Sequence, residues 1–348
     1  MKLQALDPLL YSREDQLYKD FVDHFYSLIT TSIEPPYAIS LDGLWGTGKT
    51  TVMQKIQNKL EDAAYPVFWF NPWEYRQSDN VVAAFLRKLA NANRSLLDEM
   101  QKQSGLTILS VLAETAMGVG LSTFTGGKIS LKDIHGVFKS VEDNQKLSFT
   151  KYDDLIETVK KEFIGLIDRV SEQHEGKPVI IFFDDLDRCL PDDTVKLLEA
   201  LKNLFVAKRD DNNTKCKAIF VCGIDTHIAK EFIQEHYKGI EENFAINYFR
   251  KIFNLTISMP RSPDLKKLLI QYIHELYEWE IDDKKNESLA NIVVTRGLQA
   301  HISSVRTYLN VVTTFYTFLR FNPDYEMKIE NDFVLTLLIM KEAWSTVI

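Results

Sequence analysis

The sequence predicts an α/β protein, with a parallel sheet covered by helices on both faces and a C-terminal α-helical unit. Two observations carry this. Segments such as YAISLDG, VIIFF and AIFVCGID are apolar runs without polar alternation, the pattern of strands buried on both faces. They alternate with stretches of helical period as far as Pro260, beyond which every segment is helical in period. A length of 348 residues points to two units, at roughly 100–200 residues per domain. The division reads as an α/β core over residues 1–260, with an insertion at about 101–150, and a helical domain over 261–348.

Each element follows from local pattern. Leu17, Phe21, Phe25 and Leu28 form a stripe on an amphipathic helix from Arg13 to Ile29. TSIEPP ends it, and YAISLDG is a short buried strand. Lys49 to Asp62 is helical, and YPVFWFNPW, opened and closed by Pro, is strand-like. Asn80 to Met100 is again helical in period. Gly105, Gly118, Gly120, Gly126, Gly127 and Gly136 then break the pattern, which marks an insertion or a lid. Leu155, Val159, Phe163 and Ile167 define one face of a helix from Asp153 to Glu172. Val179–Phe183 is a strand, and Pro191 with Asp192 and Asp193 opens a helix reaching about Lys208. AIFVCGID and FNLTISMP are two further strands.

Composition narrows the function classes. Hydrophobic residues at 45% and charged residues at 26% describe a globular chain. Lys and Arg number 41 against 49 Asp and Glu, a net charge of −8. That balance argues against a protein that grips nucleic acid by neutralising phosphates. Cys189, Cys216 and Cys222 form neither a disulfide framework nor a zinc motif, and fit a reducing compartment. The N-terminus has no signal-peptide pattern, so a cytoplasmic setting is expected. Ser104 to Gly127 is uncharged except for Glu114. A spanning helix needs about 20 mainly apolar residues, and a central acid costs about 3 kcal/mol on insertion scales. The segment therefore reads as a buried hairpin, a loop or a partner-facing surface, with membrane association as the alternative.

One motif carries chemistry. Gly43-Leu44-Trp45-Gly46-Thr47-Gly48-Lys49-Thr50 fits G-x-x-x-x-G-K-[ST], between a strand and a helix. Gly43, Gly46 and Gly48 let the backbone wrap phosphate oxygens with its N–H groups turned inward. The following helix adds its N-terminal dipole, with Thr47, Thr50 and Thr51 at or beside the phosphates. Lys49 supplies charge to the β and γ phosphates, and the Thr50 hydroxyl ligates Mg²⁺. The expected ligand is ATP with Mg²⁺, because no N-K-x-D guanine-reading motif is visible.

VIIFF followed by Asp184 and Asp185 supplies the partner, with acids at the C-terminal end of a buried strand. Asp184 would hold Mg²⁺, and Asp185 would orient or deprotonate the attacking water. Asp187 either pairs with Arg188 or caps a turn. Asp225 or Thr226, after the next strand, either senses the γ-phosphate or caps a helix. Trp45 is a candidate to flank the base, although core packing is the expected role for both Trp45 and Trp73.

The WGTGKT loop, Phe70-Asn71-Pro72-Trp73-Glu74, Asp184 to Cys189 (DDLDRC) and Tyr248-Phe249-Arg250-Lys251-Ile252-Phe253 resemble the KAP family of P-loop NTPases, as does the opening LDPLLYSRED. The resemblance implies an ASCE-type ATPase core close to the STAND and AAA+ lineages, with a helical lid. It implies switch-like use of nucleotide, often at membranes or in bacterial defence against phage. Many members carry transmembrane helices in an insertion between the two Walker motifs; residues 101–150 hold that place here but are short and weakly apolar. Arg306 falls where a sensor arginine would contact the γ-phosphate, while Arg250 and Arg188 are candidates to act in trans at a subunit boundary. The favoured reading is an ATPase switch that signals to a protein partner or assembles with copies of itself. The alternative is a nucleotide-gated scaffold with little turnover. A nucleic-acid motor or a small-molecule kinase fits less well.

Overall fold

A computed structural model describes residues 18–75, 81–104, 109, 152–205, 216–237, 242–260, 265–276, 283–300, 302, 304–321 and 330–345. They fall into two compact units. One holds the described residues of Leu28–Asp42 and Gln57–Ile257; the other holds those of Met1–Ser27, Gly43–Ile56 and Ser258–Ile348.

The first unit is built on a sheet of β1 (Tyr37–Asp42), β2 (Val67–Phe70), β3 (Val179–Phe183), β4 (Ala218–Ile224) and β5 (Leu255–Ser258), in the order β2-β3-β4-β1-β5. The pairs β1–β4, β3–β4 and β2–β3 are parallel. β4 thus separates β1 from β3, the arrangement expected of the ASCE type. Asp42 lies opposite Ile224, Phe183 opposite Cys222, and Phe70 opposite Phe183. The residues that follow β2, β3 and β4 therefore leave from one end of the sheet.

Every residue of β3 and β4 is buried, as their unbroken apolar runs require. The face that carries Val179, Ile181, Phe183, Phe220 and Cys222 shares one continuous core with α3 (Val81–Ala92), α4 (Arg94–Ser104), α5 (Tyr152–Gln173), α6 (Pro191–Ala200), α7 (Thr226–His236) and α8 (Glu242–Ile252). An aromatic cluster sits at its centre. The Phe85 ring lies 5.4 Å from that of Phe70 and 5.0 Å from that of Phe183, and Phe183 stacks on Phe220 at 6.2 Å.

In the second unit, α9 (Leu265–Leu276), α10 (Asp283–Gln299), α11 (Val305–Phe321) and α12 (Glu330–Ser345) pack on one another. Tyr272 and Thr313 join α9 to α11 through their hydroxyls at 2.7 Å. Gly297 admits the Tyr308 ring, whose Cζ would lie 2.8 Å from any Cβ placed there.

Local corrections have simple causes. In α1 (Lys19–Thr31) the buried stripe is Val22, Phe25 and Ile29, while Phe21 and Leu28 lie on its flanks. Asn80 to Met100 is not one helix. The Asn93 side chain donates to the Leu89 carbonyl at 2.9 Å, competing with the ladder, and separates α3 from α4. The proline-bounded second strand keeps only Val67–Phe70 before a single 3₁₀ turn, Pro72–Tyr75. The α-helix from Pro191 ends at Ala200 and continues as a π-helical turn, Leu201–Phe205. By contrast α2 (Lys49–Asp62) has the bounds read from the sequence. The insertion and the span considered at 104–127 lie almost wholly outside the described residues. Among those described, no helix is long and apolar enough to cross a membrane.

Phe85→Ala empties the centre of the aromatic cluster. It should cost about 3–5 kcal/mol, read as a clear fall in melting temperature beside the wild-type chain.

Candidate functional site

The loop after β1 has the backbone that its glycines permit. Gly46 has φ 78° and Gly48 φ 93°, values at which L side chains are strained. The space is also closed to a side chain. A Cβ on Gly46 would collide with the Ser304 hydroxyl, and one on Gly48 would lie 3.1 Å from the Tyr18 ring. Lys49 begins α2 and is buried. Its ammonium donates to the Gly43 carbonyl at 2.6 Å and lies 3.4 Å from that of Leu44. Thr47 is fastened to Leu44 through its hydroxyl (2.8 Å) and its amide (3.3 Å). Thr50 and Thr51 occupy the first turn of α2. The donor set fits a polyphosphate with a hard cation: left-handed glycines, a buried ammonium, and a hydroxyl at a helix start.

The acids after β3 are arranged separately. Asp184 is buried, and its amide donates to the Phe70 carbonyl at 3.1 Å, extending the β2–β3 pairing. Asp185 has φ 57°, an uncommon left-handed backbone for a residue other than glycine. Its Oδ1 pairs with Arg188 Nε at 2.9 Å, and its Oδ2 accepts from Asn71 Nδ2 at 3.3 Å. Asn71 had no role assigned from sequence. Its signal was topological: it follows β2 directly, at the sheet end from which Asp184 also emerges.

Arg188 is held by Asp185. Buried Asp187 Oδ2 instead accepts the Asp225 amide at 3.1 Å. Asp225 in turn is the N-cap of α7, its Oδ1 accepting from His227 N at 3.0 Å and Ile228 N at 3.4 Å. The Thr226 amide donates to Asp42 Oδ1 at 3.0 Å. These bonds favour the capping reading of Asp225 over the sensor reading. Burial, reinforced by Asp193, Asp185 and Asp187, pushes the Cys189 thiol up to about 12, and burial pushes Cys216 up to about 12. Neither is a ready nucleophile.

Arg306 opens α11, and its amide donates to the Gly46 carbonyl at 3.2 Å while its side chain is exposed. Arg250 is exposed in the last turn of α8. Core packing of the tryptophans is overturned: Trp45 is 53% exposed and Trp73 37%. A loop that turns its backbone inward turns its side chains out, and in the 3₁₀ turn it is Pro72 that is buried. Tyr18 was also missed. Its hydroxyl donates to the Thr47 carbonyl at 2.6 Å across 29 positions, with no local sequence signal.

The model of the KAP family P-loop domain matches residues 18–322. The chain belongs to the KAP family. It is therefore a P-loop NTPase, and its fold implies nucleotide binding. No curated protein gives a significant match. Among solved structures, the chain is similar to the Aeropyrum pernix ORC1 protein in complex with DNA (14% identity, 99% of this chain, 73% of that one, TM-score 0.46). It is also similar to Cdc6p from Pyrobaculum aerophilum (10%, 91% and 67%, 0.44) and to domain III of the Thermotoga maritima replication initiation protein DnaA (11%, 96% and 97%, 0.39).

Two outcomes are expected here. Asp187→Ala orphans the Asp225 amide and should cost about 1–3 kcal/mol of stability, measured by melting, whereas Asp187→Asn keeps an acceptor and should cost less. The three buried thiols should react slowly with a thiol reagent in the native KAP protein at neutral pH and completely after denaturation.

Proposed function

We propose that this KAP protein is a Mg²⁺-dependent ATP-hydrolysing switch. The observation that carries the reading is the loop itself, with left-handed Gly46 and Gly48 closed to side chains and Lys49 buried against it. Gly43, Gly46, Thr47, Gly48, Lys49, Thr50 and Thr51 hold the phosphates, and exposed Trp45 flanks the base. Thr50 and Asp184 would hold Mg²⁺, which would supply charge neutralisation to the phosphates. Asp185 orients the water for attack on the γ-phosphorus. Lys49 stabilises charge developing on the phosphoryl oxygens, with Arg306 as its partner. Residues 1–260 act as the nucleotide-binding core and 261–348 as the helical domain that reports its state to a protein partner or another copy. Family resemblance supplies the setting, defence against phage.

A specific observation favours the second reading, a scaffold with little turnover. Both Asp185 oxygens are engaged, by Arg188 and by Asn71. The readings differ in what Asp185→Asn does. A switch loses turnover and is trapped with ATP; a scaffold assembles unchanged.

Phosphate release from MgATP tests the proposal. Lys49→Ala should abolish binding and turnover together. Asp185→Asn should keep binding and lower turnover by about 10²–10⁴-fold. Wild-type release no higher than that of either variant would sink the hydrolase reading.

A further inference from the structure

Tyr18 is buried and has φ 61°, a left-handed backbone that costs a tyrosine free energy and persists only where its surroundings hold it. Three contacts hold it. Its carbonyl accepts the Val22 amide at 2.8 Å and so opens α1. Its ring occupies the space beside Gly48 that a Cβ would need. Its hydroxyl donates to the Thr47 carbonyl at 2.6 Å.

The last contact reaches the chemistry of the loop. The Thr47 C=O and the Gly48 N–H belong to one planar trans peptide and point in opposite directions. A donor that fixes the carbonyl therefore fixes where the Gly48 N–H is aimed. The preceding peptide is held in the same way: the Gly46 carbonyl accepts from the Arg306 amide at 3.2 Å. Two successive peptide planes of the phosphate loop are thus oriented from behind, one by a side-chain hydroxyl and one by the start of a helix. Anion-binding nests depend on such orientation, because their donors are backbone amides that no side chain can aim directly. Burial raises the Tyr18 phenol above its ordinary range, so it remains a donor at any physiological pH.

We propose that Tyr18 is a positioning residue for the phosphates: its hydroxyl pins the Thr47–Gly48 peptide so that the Gly48 amide faces the bound polyphosphate. The inference rests on the nucleotide-binding reading above. It assigns affinity to a residue far from the motif, and it ties the start of α1 to the phosphate loop.

The test uses the full chain and two probes, MgATP and inorganic tripolyphosphate, with wild type, Lys49→Ala and Tyr18→Phe. Tyr18→Phe removes one oxygen and keeps the ring beside Gly48. Tyr18→Leu, which also lacks the hydroxyl but keeps apolar bulk, repeats the comparison if the first variant melts early. The hydroxyl should be worth about 3- to 10-fold in affinity. The expected result is an equal weakening for both probes, with KM for ATP raised and kcat little changed. A merely structural role would lower melting temperature without that split. Weakening for MgATP alone would mean contact with the nucleoside and overturn the proposal. Wild-type affinity in both variants, with Lys49→Ala defective, would overturn it while leaving the nucleotide site standing. Absence of wild-type binding would overturn both.

Discussion

Parallel pairing holds β1 beside β4 with Asp42 opposite Ile224, and β3 beside β4 with Phe183 opposite Cys222. A slip of one residue would turn every buried side chain of β3 to the other face. Because both faces of β3 and β4 are buried, it would also misplace Phe183 within its cluster of Phe70, Phe85 and Phe220. Register therefore fixes chemistry. It brings Asn71, Asp184 and Asp225, which follow β2, β3 and β4, to one end of the sheet.

At that end each carboxylate has a distinct task, set by its partners. Asp225 caps α7, Asp187 satisfies the Asp225 amide, and Asp42 satisfies the Thr226 amide. These acids do structural work, since a buried amide left unpaired costs about 1–3 kcal/mol. Asp185 stands on a left-handed backbone, and its carboxylate meets the side chains of Arg188 and Asn71.

Most of the architecture was legible in the sequence, because strands buried on both faces leave unbroken apolar runs and a phosphate loop needs glycine at fixed spacing. Lys49–Asp62 and Val179–Phe183 follow those rules without competition. The failures share another cause. The break at Asn93 comes from a side chain competing for a helical carbonyl. The partner of Arg188 depends on the turn geometry that brings Asp185 within 2.9 Å. Tyr18 touches Thr47 only through the tertiary fold. Trp45 and Trp73 misled because indole size argues for burial in general but says nothing of a loop whose backbone must face inward.

In the proposed function the backbone of Gly43–Thr50 holds the phosphates. Hydrogen–deuterium exchange of that segment, with and without MgATP, tests it most directly. Amide exchange across the loop should slow in the wild-type chain on adding MgATP and should not slow in Lys49→Ala. Binding of MgATP that leaves exchange of this segment unchanged, with protection arising elsewhere, would contradict it.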